Sequence, residues 1–160
     1  MSNKITRIAI AGEGGQGVQM IAEILAEAAD KMGKSALYIP NFGVEQRGGV
    51  SIAFVQISDG PIGAPKFVES DILIPVSPRA VDRTIMHAGA LTTYIYDDSL
   101  VTPEQIADAV STDHYVEVVT EGTTAQAERF KPSAGTDVSK LPKVPQVIAI
   151  PANEIAKLEF

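Results

Sequence analysis

The sequence predicts an α/β fold: one three-layer domain with a mainly parallel sheet and helices on both faces. Three observations carry this. Apolar strand-type runs alternate with amphipathic helical segments along the chain. The first strand stops at a glycine turn, Gly12-Glu13-Gly14-Gly15-Gln16-Gly17, and a helical pattern follows it. Finally, 160 residues with 45% hydrophobic content suffice for one sizeable core and are short for two, so residues 1–160 read as a single domain.

Ile5 to Ala11 is apolar with β-branched Ile and Thr, which suits a buried strand. From Val18, the residues Val18, Ile21, Ala22, Leu25, Ala28, Ala29 and Met32 recur at three- and four-residue spacing, and Gly33 is placed to end that helix. Glu23, Glu27, Asp30 and Lys31 fall on its polar face. A second strand, Ser35 to Ile39, ends at Pro40 and opens a loop, "NFGVEQRGG". Strands are also expected at Val50 to Ile57 and Asp71 to Val76. Ser77-Pro78 combines an N-cap serine with proline at the first helical position, for a helix reaching about His87.

Leu91 to Tyr96 is the next strand, and Thr102-Pro103-Glu104 opens a short helix through about Val110. Tyr115 to Val119 is a further strand candidate, and Glu121 to Pro145 reads as a long loop. Pro145 to Ile150 returns to strand before a last short helix, Ala152 to Leu158. Crossovers of this kind are right-handed. The direct step out of the Val50 strand through the turn-rich "SDGPIGAP" implies that one strand pair departs from parallel order.

Twenty acidic against 13 basic residues give a formal charge of −7, which disfavours nucleic acid and anionic membrane surfaces. No run approaches the roughly 20 apolar residues that span a bilayer, and no signal-peptide pattern opens the chain, so the cytoplasm is the expected location. With no cysteine there is no thiolate for an iron–sulfur cluster, and two histidines, His87 and His114, make a His-rich metal site unexpected. Both read as surface or helix-end residues.

In a Rossmann-like dinucleotide site the first glycine makes the tight turn, the second admits the pyrophosphate and the third lets the helix pack on the strand. Gly12, Gly14 and Gly17 occupy those places. Two features oppose NAD or FAD. The second strand ends Tyr38-Ile39-Pro40-Asn41, without the acid that binds a ribose hydroxyl, and Glu13 puts negative charge inside the turn. The residues alone leave three uses open: a phosphate-type group, a neighbouring chain, or a turn that only shapes the fold.

A second constellation is "VEQRGG". Glu45 and Arg47 project to one side of an extended segment, and Gly48 and Gly49 admit close approach of a backbone or ligand. Such a segment could hold an anion, dock a partner, or be a solvated loop with a local ion pair. Asp97-Asp98 reads as turn chemistry, and Arg79 and Arg83 as ordinary helix surface beside Asp82. Nothing resembles a Ser-His-Asp set or a matched carboxylate pair.

Taken together, G-x-G-G-Q-G at Gly12 to Gly17, the small-residue helix after it, Pro40, Glu45-x-Arg47-Gly48-Gly49 and the "DILI" run resemble the gamma subunit, or gamma domain, of the 2-oxoacid:acceptor oxidoreductases, the pyruvate and 2-oxoglutarate ferredoxin oxidoreductase family. The resemblance covers residues 5 to 83 and the closing "VIAIPANEIAKLEF", where the family's closing helix is short or absent. It implies a complex that converts a 2-oxoacid and coenzyme A to acyl-CoA and CO2 while reducing ferredoxin. Thiamine diphosphate with Mg would sit between alpha and beta subunits, and the clusters on other chains, including a ferredoxin-like delta subunit. This chain would hold no cofactor and no catalytic residue of its own and would be inactive alone. Gly12, Gly14, Gly15, Gln16 and Gly17 would meet coenzyme A or a partner subunit, with Glu45 and Arg47 fixing that junction. The competing reading is a free-standing NAD- or FAD-binding oxidoreductase or sensor domain, and a third is a purely structural subunit.

Overall fold

The computed structural model describes residues 4–41, 49–89, 91–102, 104–106 and 147–159. Among them, six strands form one sheet: β1 (Ile5–Glu13), β2 (Ser35–Asn41), β3 (Val50–Ser58), β4 (Ile72–Pro75), β5 (Thr93–Asp97) and β6 (Val147–Ile150). Their order is β2-β3-β1-β4-β5-β6. Strand β3 runs antiparallel to both of its neighbours, and the β1–β4, β4–β5 and β5–β6 pairs are parallel. The mainly parallel α/β sheet is therefore as the sequence implied, but two strand pairs rather than the expected one depart from parallel order, because β3 is reversed against both of its neighbours. Three helices accompany it: α1 (Val18–Lys31), α2 (Pro78–Thr84), which tightens into a 3-10 turn at Ile85–His87, and α3 (Ala152–Glu159).

Two apolar clusters, one on each face of the sheet, follow from the period-2 alternation of β1. Ile8 and Ile10 point to one face, where Val18 and Ala22 of α1 close over them together with Ala53 and Val55 of β3. On the other face Leu73, Tyr94 and Tyr96 pack with Val81 and Ile85 of the second helical segment and with Val101 and Ile106. Every residue from Ala9 to Ala11 is fully buried, as expected of a strand covered on both sides.

Element ends show why some boundaries shift from expectation. Strand β1 runs beyond Ala11 because Gly12 and Glu13 still pair with Ser51 and Val50. Strand β2 continues through Pro40 to Asn41, opposite Ala53 and Ile52. Proline is tolerated there because β2 is an edge strand, whose outward N–H has no ladder partner to lose. Strand β5 starts at Thr93 rather than Leu91, because Thr92 closes a turn in which its amide donates to the Gly89 carbonyl and its Oγ1 accepts from the Gly89 amide. β4 is four residues long, but Asp71 and Val76 beside it still donate to the carbonyls of Arg7 and Ala11. The expected N-cap is present: Ser77 Oγ accepts from the Ala80 amide, with Pro78 next in line. At the far end of α1, Gly33 takes φ +75 and Lys34 N–H bonds the Ala29 carbonyl, so the glycine stop is used as read. Met32 and Ile21, expected on the buried stripe of α1, are instead 74% and 38% exposed.

Thr102 and Gln105 exchange side-chain to backbone bonds at the expected helix start, and residues 104–106 are helical. Its continuation to Val110, the strand candidate at Tyr115 to Val119 and the loop from Glu121 lie outside the described residues, as does His114. No helix among the described residues is long and apolar enough to cross a membrane.

His87 closes the 3-10 turn. Its Nδ1 donates to the Val68 carbonyl at 2.8 Å and its ring stands edge-on to Phe54. Burial lowers its pKa, and the Val68 bond opposes that shift. The fold therefore favours the neutral ring more than the unfolded chain does. This contribution is complete above the unfolded pKa of about 6.5 and is lost as pH falls below it. Denaturant unfolding between about pH 7.5 and pH 5 will show wild-type stability declining with acidity more steeply than that of His87→Leu. Equal slopes would contradict the burial of a neutral imidazole.

Candidate functional site

The glycine turn sits at the carboxyl end of β1, where the chain leaves the sheet for α1 on one face. Neighbouring β4 leaves for α2 on the other. This is the point at which strand order reverses, and in open α/β sheets the crevice outside it is where ligands enter. The turn is thus correctly placed for a binding role. What occupies that point in this chain is its own side chain.

Gln16 spans it. Its Oε1 accepts from the Glu13 amide at 2.6 Å, and its Nε2 donates to the Val76 carbonyl at the end of β4 at 3.1 Å. The Gln16 amide also donates to the Glu13 carbonyl, closing the turn through the backbone. Glu13 then reaches across to Arg79 on α2, with 3.8 Å between carboxylate and guanidinium. The charge that opposed a pyrophosphate has thus found a cation. From the sequence Arg79 reads as ordinary helix surface, because its nearness to the turn depends on β4 lying beside β1, and no local pattern encodes that.

The glycines divide by function. Gly12 is required by close approach: a Cβ there would lie 2.3 Å from Val76 Cγ2, 2.7 Å from Gln16 Oε1 and 2.8 Å from Val18 Cγ2. Gly15 and Gly17 have φ of 94 and 75, a left-handed backbone that side chains disfavour. Gly14 has neither constraint, and open space surrounds the outer positions of Gly14, Gly15 and Gly17. Gly17 caps α1 without a side-chain bond, and the first turn contains no acidic residue. The leading N–H groups of α1 therefore face outward without an intrahelical acceptor, an arrangement that favours an anion or a carbonyl from another molecule.

The other flank of this turn is also anchored. Tyr38 Oη donates to Gln19 Oε1 at 2.7 Å, and Gln19 Nε2 donates to Ser51 Oγ, tying the start of α1 to β2 and β3. Burial, then Glu23, raises the Tyr38 pKa, so the phenol stays protonated as this donation requires. No local pattern joins Gln19, Ser51 and Tyr38, whose contact also depends on strand adjacency. Gly49 is half-buried at the entry to β3, and Glu45, Arg47 and Gly48 lie outside the described residues. Asp97 does what turn chemistry predicts, its Oδ1 accepting from both the amide and the hydroxyl of Ser99. Among the described residues no group of three or more His, Asp or Glu side chains could hold a metal ion.

One topological fact bears on dinucleotides. In a mononucleotide-binding half, β2 lies directly beside β1, so an acid at its end meets the ribose. Here β3 intervenes, which moves the end of β2 out to about 9.5 Å, two strand spacings. These features define an α/β domain whose glycine turn is bridged by Gln16 at the switch point and, at Gly14, Gly15 and Gly17, offers main chain and a helix end to a visitor.

Comparison with known proteins gives the particular family. The chain belongs to the pyruvate ferredoxin/flavodoxin oxidoreductase family, whose model matches residues 7–160. It is 42% identical over 79 residues, 49% of the chain and 43% of the relative, to the pyruvate/ketoisovalerate oxidoreductases common subunit gamma of Thermococcus kodakarensis. It is 35% identical over 105 residues, 63% of the chain and 54% of the relative, to the 2-oxoglutarate synthase subunit KorC of Methanocaldococcus jannaschii. The chain thus spans about half the length of these relatives. Among solved structures, the 2-oxoglutarate:ferredoxin oxidoreductase of Magnetococcus marinus, with 2-oxoglutarate, coenzyme A and succinyl-CoA bound, shares the fold. The TM-score is 0.63 at 18% identity, over 98% of this chain and 22% of that one.

The division among the glycines is testable by denaturant unfolding. Gly12→Ala will lower stability by about 1–3 kcal/mol through forced displacement of Val76 and Val18, whereas Gly14→Ala will change it by no more than about 0.5 kcal/mol. Equal effects at the two positions would contradict the geometry.

Proposed function

We propose that this chain is the non-catalytic gamma component of a multi-subunit thiamine-diphosphate and iron–sulfur 2-oxoacid:acceptor oxidoreductase. Such a complex turns a 2-oxoacid and coenzyme A into an acyl-CoA and CO2 and passes the electrons to ferredoxin. The chain's part is assembly, together with a contact to coenzyme A through the glycine turn. Family membership and relatives named as gamma-type subunits support the first half of the reading. Without cysteine, these 160 residues supply no thiolate for an iron–sulfur cluster.

The single observation that carries the contact is the state of the α1 amino terminus. It is uncapped by any side chain and bordered by open Gly14, Gly15 and Gly17, and Gln16 and Gln19 tether it by hydrogen bonds from both sides. A set of outward N–H groups without a side-chain cap suits a phosphate, and coenzyme A carries phosphates in a complex of this kind. Arg47, two residues before the entry to β3, would add the matching cation from the "VEQRGG" segment. The dinucleotide alternative loses support because β3 separates β2 from β1 and because β2 ends in Pro40-Asn41.

Co-expression with the cognate alpha, beta and delta subunits separates the two roles. Gly14→Asp is accommodated by the fold and places a carboxylate at the turn. It will raise the apparent KM for coenzyme A on the order of tenfold, about 1.4 kcal/mol, with assembly intact. Arg47→Ala will weaken assembly, the coenzyme A response, or both. If both variants leave both quantities unchanged, the turn has neither role.

A further inference from the structure

The far end of β1 from the glycine turn borders a second opening. Ile8 and Ile10 face α1, so Ile5 and Arg7 point to the opposite face of the sheet, where Gln56 of β3 lies directly across from Arg7. Residues 59–70 cross that face as a strap fixed at three points. Gln56 Nε2 donates to the Ala64 carbonyl at 2.8 Å, the Phe67 ring stands edge-on to Phe54 at 5.3 Å, and His87 Nδ1 donates to the Val68 carbonyl. Between strap and sheet lies an open cleft of about 460 Å³, a size within the range of small-molecule sites. Five residues of strand separate Arg7 from Gly12, so the cleft is about 17 Å from the glycine turn.

The lining selects a class of ligand. Gln56 is 3% exposed, and a carboxamide so buried needs partners at both of its ends. Its Nε2 is committed to Ala64, so Oε1 is what it has to offer the cleft. Arg7 adds a guanidinium whose ion pair with Asp71 is loose at 3.9 Å, and that carboxylate already accepts the Arg7 amide at 2.7 Å. Most of the five guanidinium donors are therefore open to a ligand. Lys66 borders the cleft, is exposed, and forms no ion pair among the described residues. Glu69 also borders it, but its carboxylate lies against Gly89, toward β5 and away from Gln56. Ile5 and Phe67 supply apolar wall.

We propose that this cleft binds a small organic anion bearing a hydroxyl group. Arg7 and Lys66 hold the carboxylate or phosphate, the hydroxyl donates to Gln56 Oε1, and the carbon body rests on Phe67. Glu69 and Asp71 at the border disfavour a second anionic group, so a hydroxylated monocarboxylate or a phosphate monoester fits. The site does not depend on the coenzyme A contact proposed above, because the two lie at opposite ends of β1.

Backbone amide NMR of the full chain, titrated with 3-hydroxybutyrate, butyrate and sn-glycerol 3-phosphate, tests this. The two hydroxylated anions will saturably shift the amides of Arg7, Gln56 and residues 66–69. Butyrate, which lacks the hydroxyl, will bind about fivefold more weakly than 3-hydroxybutyrate, the worth of about one hydrogen bond. Lys66→Gln alters an exposed position, so its thermal midpoint will match wild type while both hydroxylated anions bind on the order of tenfold more weakly. No saturable shift with either hydroxylated anion overturns the site. Shifts confined to the amides of Gly14, Gly15 and Gly17 put the anion on the α1 terminus and overturn it as well. Equal affinity for butyrate and 3-hydroxybutyrate overturns the role of Gln56, and unchanged binding by Lys66→Gln overturns that of Lys66.

Discussion

The architecture around the candidate site depends on one side chain, the Gln16 amide that joins the glycine turn to the end of β4. Its two bonds, to the Glu13 amide and the Val76 carbonyl, satisfy main-chain groups of β1 and β4 that would otherwise face the crevice at the switch point. Gly12 must lack a side chain for Gln16, Val18 and Val76 to converge. The sharp left-handed steps at Gly15 and Gly17 then aim α1 back over Ile8 and Ile10. Held in this way, the turn presents backbone at Gly14, Gly15 and Gly17.

That arrangement separates this domain from the dinucleotide-binding proteins whose glycine spacing it shares. The same three glycines serve close approach in both cases, but the partner of that approach differs. In this chain the first glycine is closed over by Gln16 and Val76 from within, and only the second and third remain open. Inserting antiparallel β3 between β1 and β2 removes the neighbouring strand end that would read a ribose. The acidic residue in the turn, an obstacle to a pyrophosphate, becomes a tie to α2 through Arg79.

Much of the fold was legible from local pattern, because strands and helices here obey their own periodicities. Ser77-Pro78 and Gly33 mark ends in the sequence and end helices in the structure. The misplaced boundaries have tertiary causes: Pro40 reads as a stop, yet an edge strand accepts it, and Gly12-Glu13 reads as turn, yet β3 keeps pairing with it. The site was legible in its glycines and in the need to neutralise Glu13. It was not legible in Arg79, Val76, Gln19, Ser51 or Tyr38, since each acts through a neighbour brought close by strand order. The role of Ile21 in α1 was misread for a related reason. A 3.6-residue period shows that a face is apolar, but not whether this chain or another covers it.

The proposed role gives the glycine turn main-chain-seeking partners in place of dinucleotides. Titration calorimetry of the isolated chain against NAD and FAD tests it most directly. No binding heat is expected for either up to about millimolar concentration, the weak end of specific recognition. A saturable isotherm for either cofactor at micromolar affinity would contradict it, because it would require the Gln16 clasp to yield the crevice it spans.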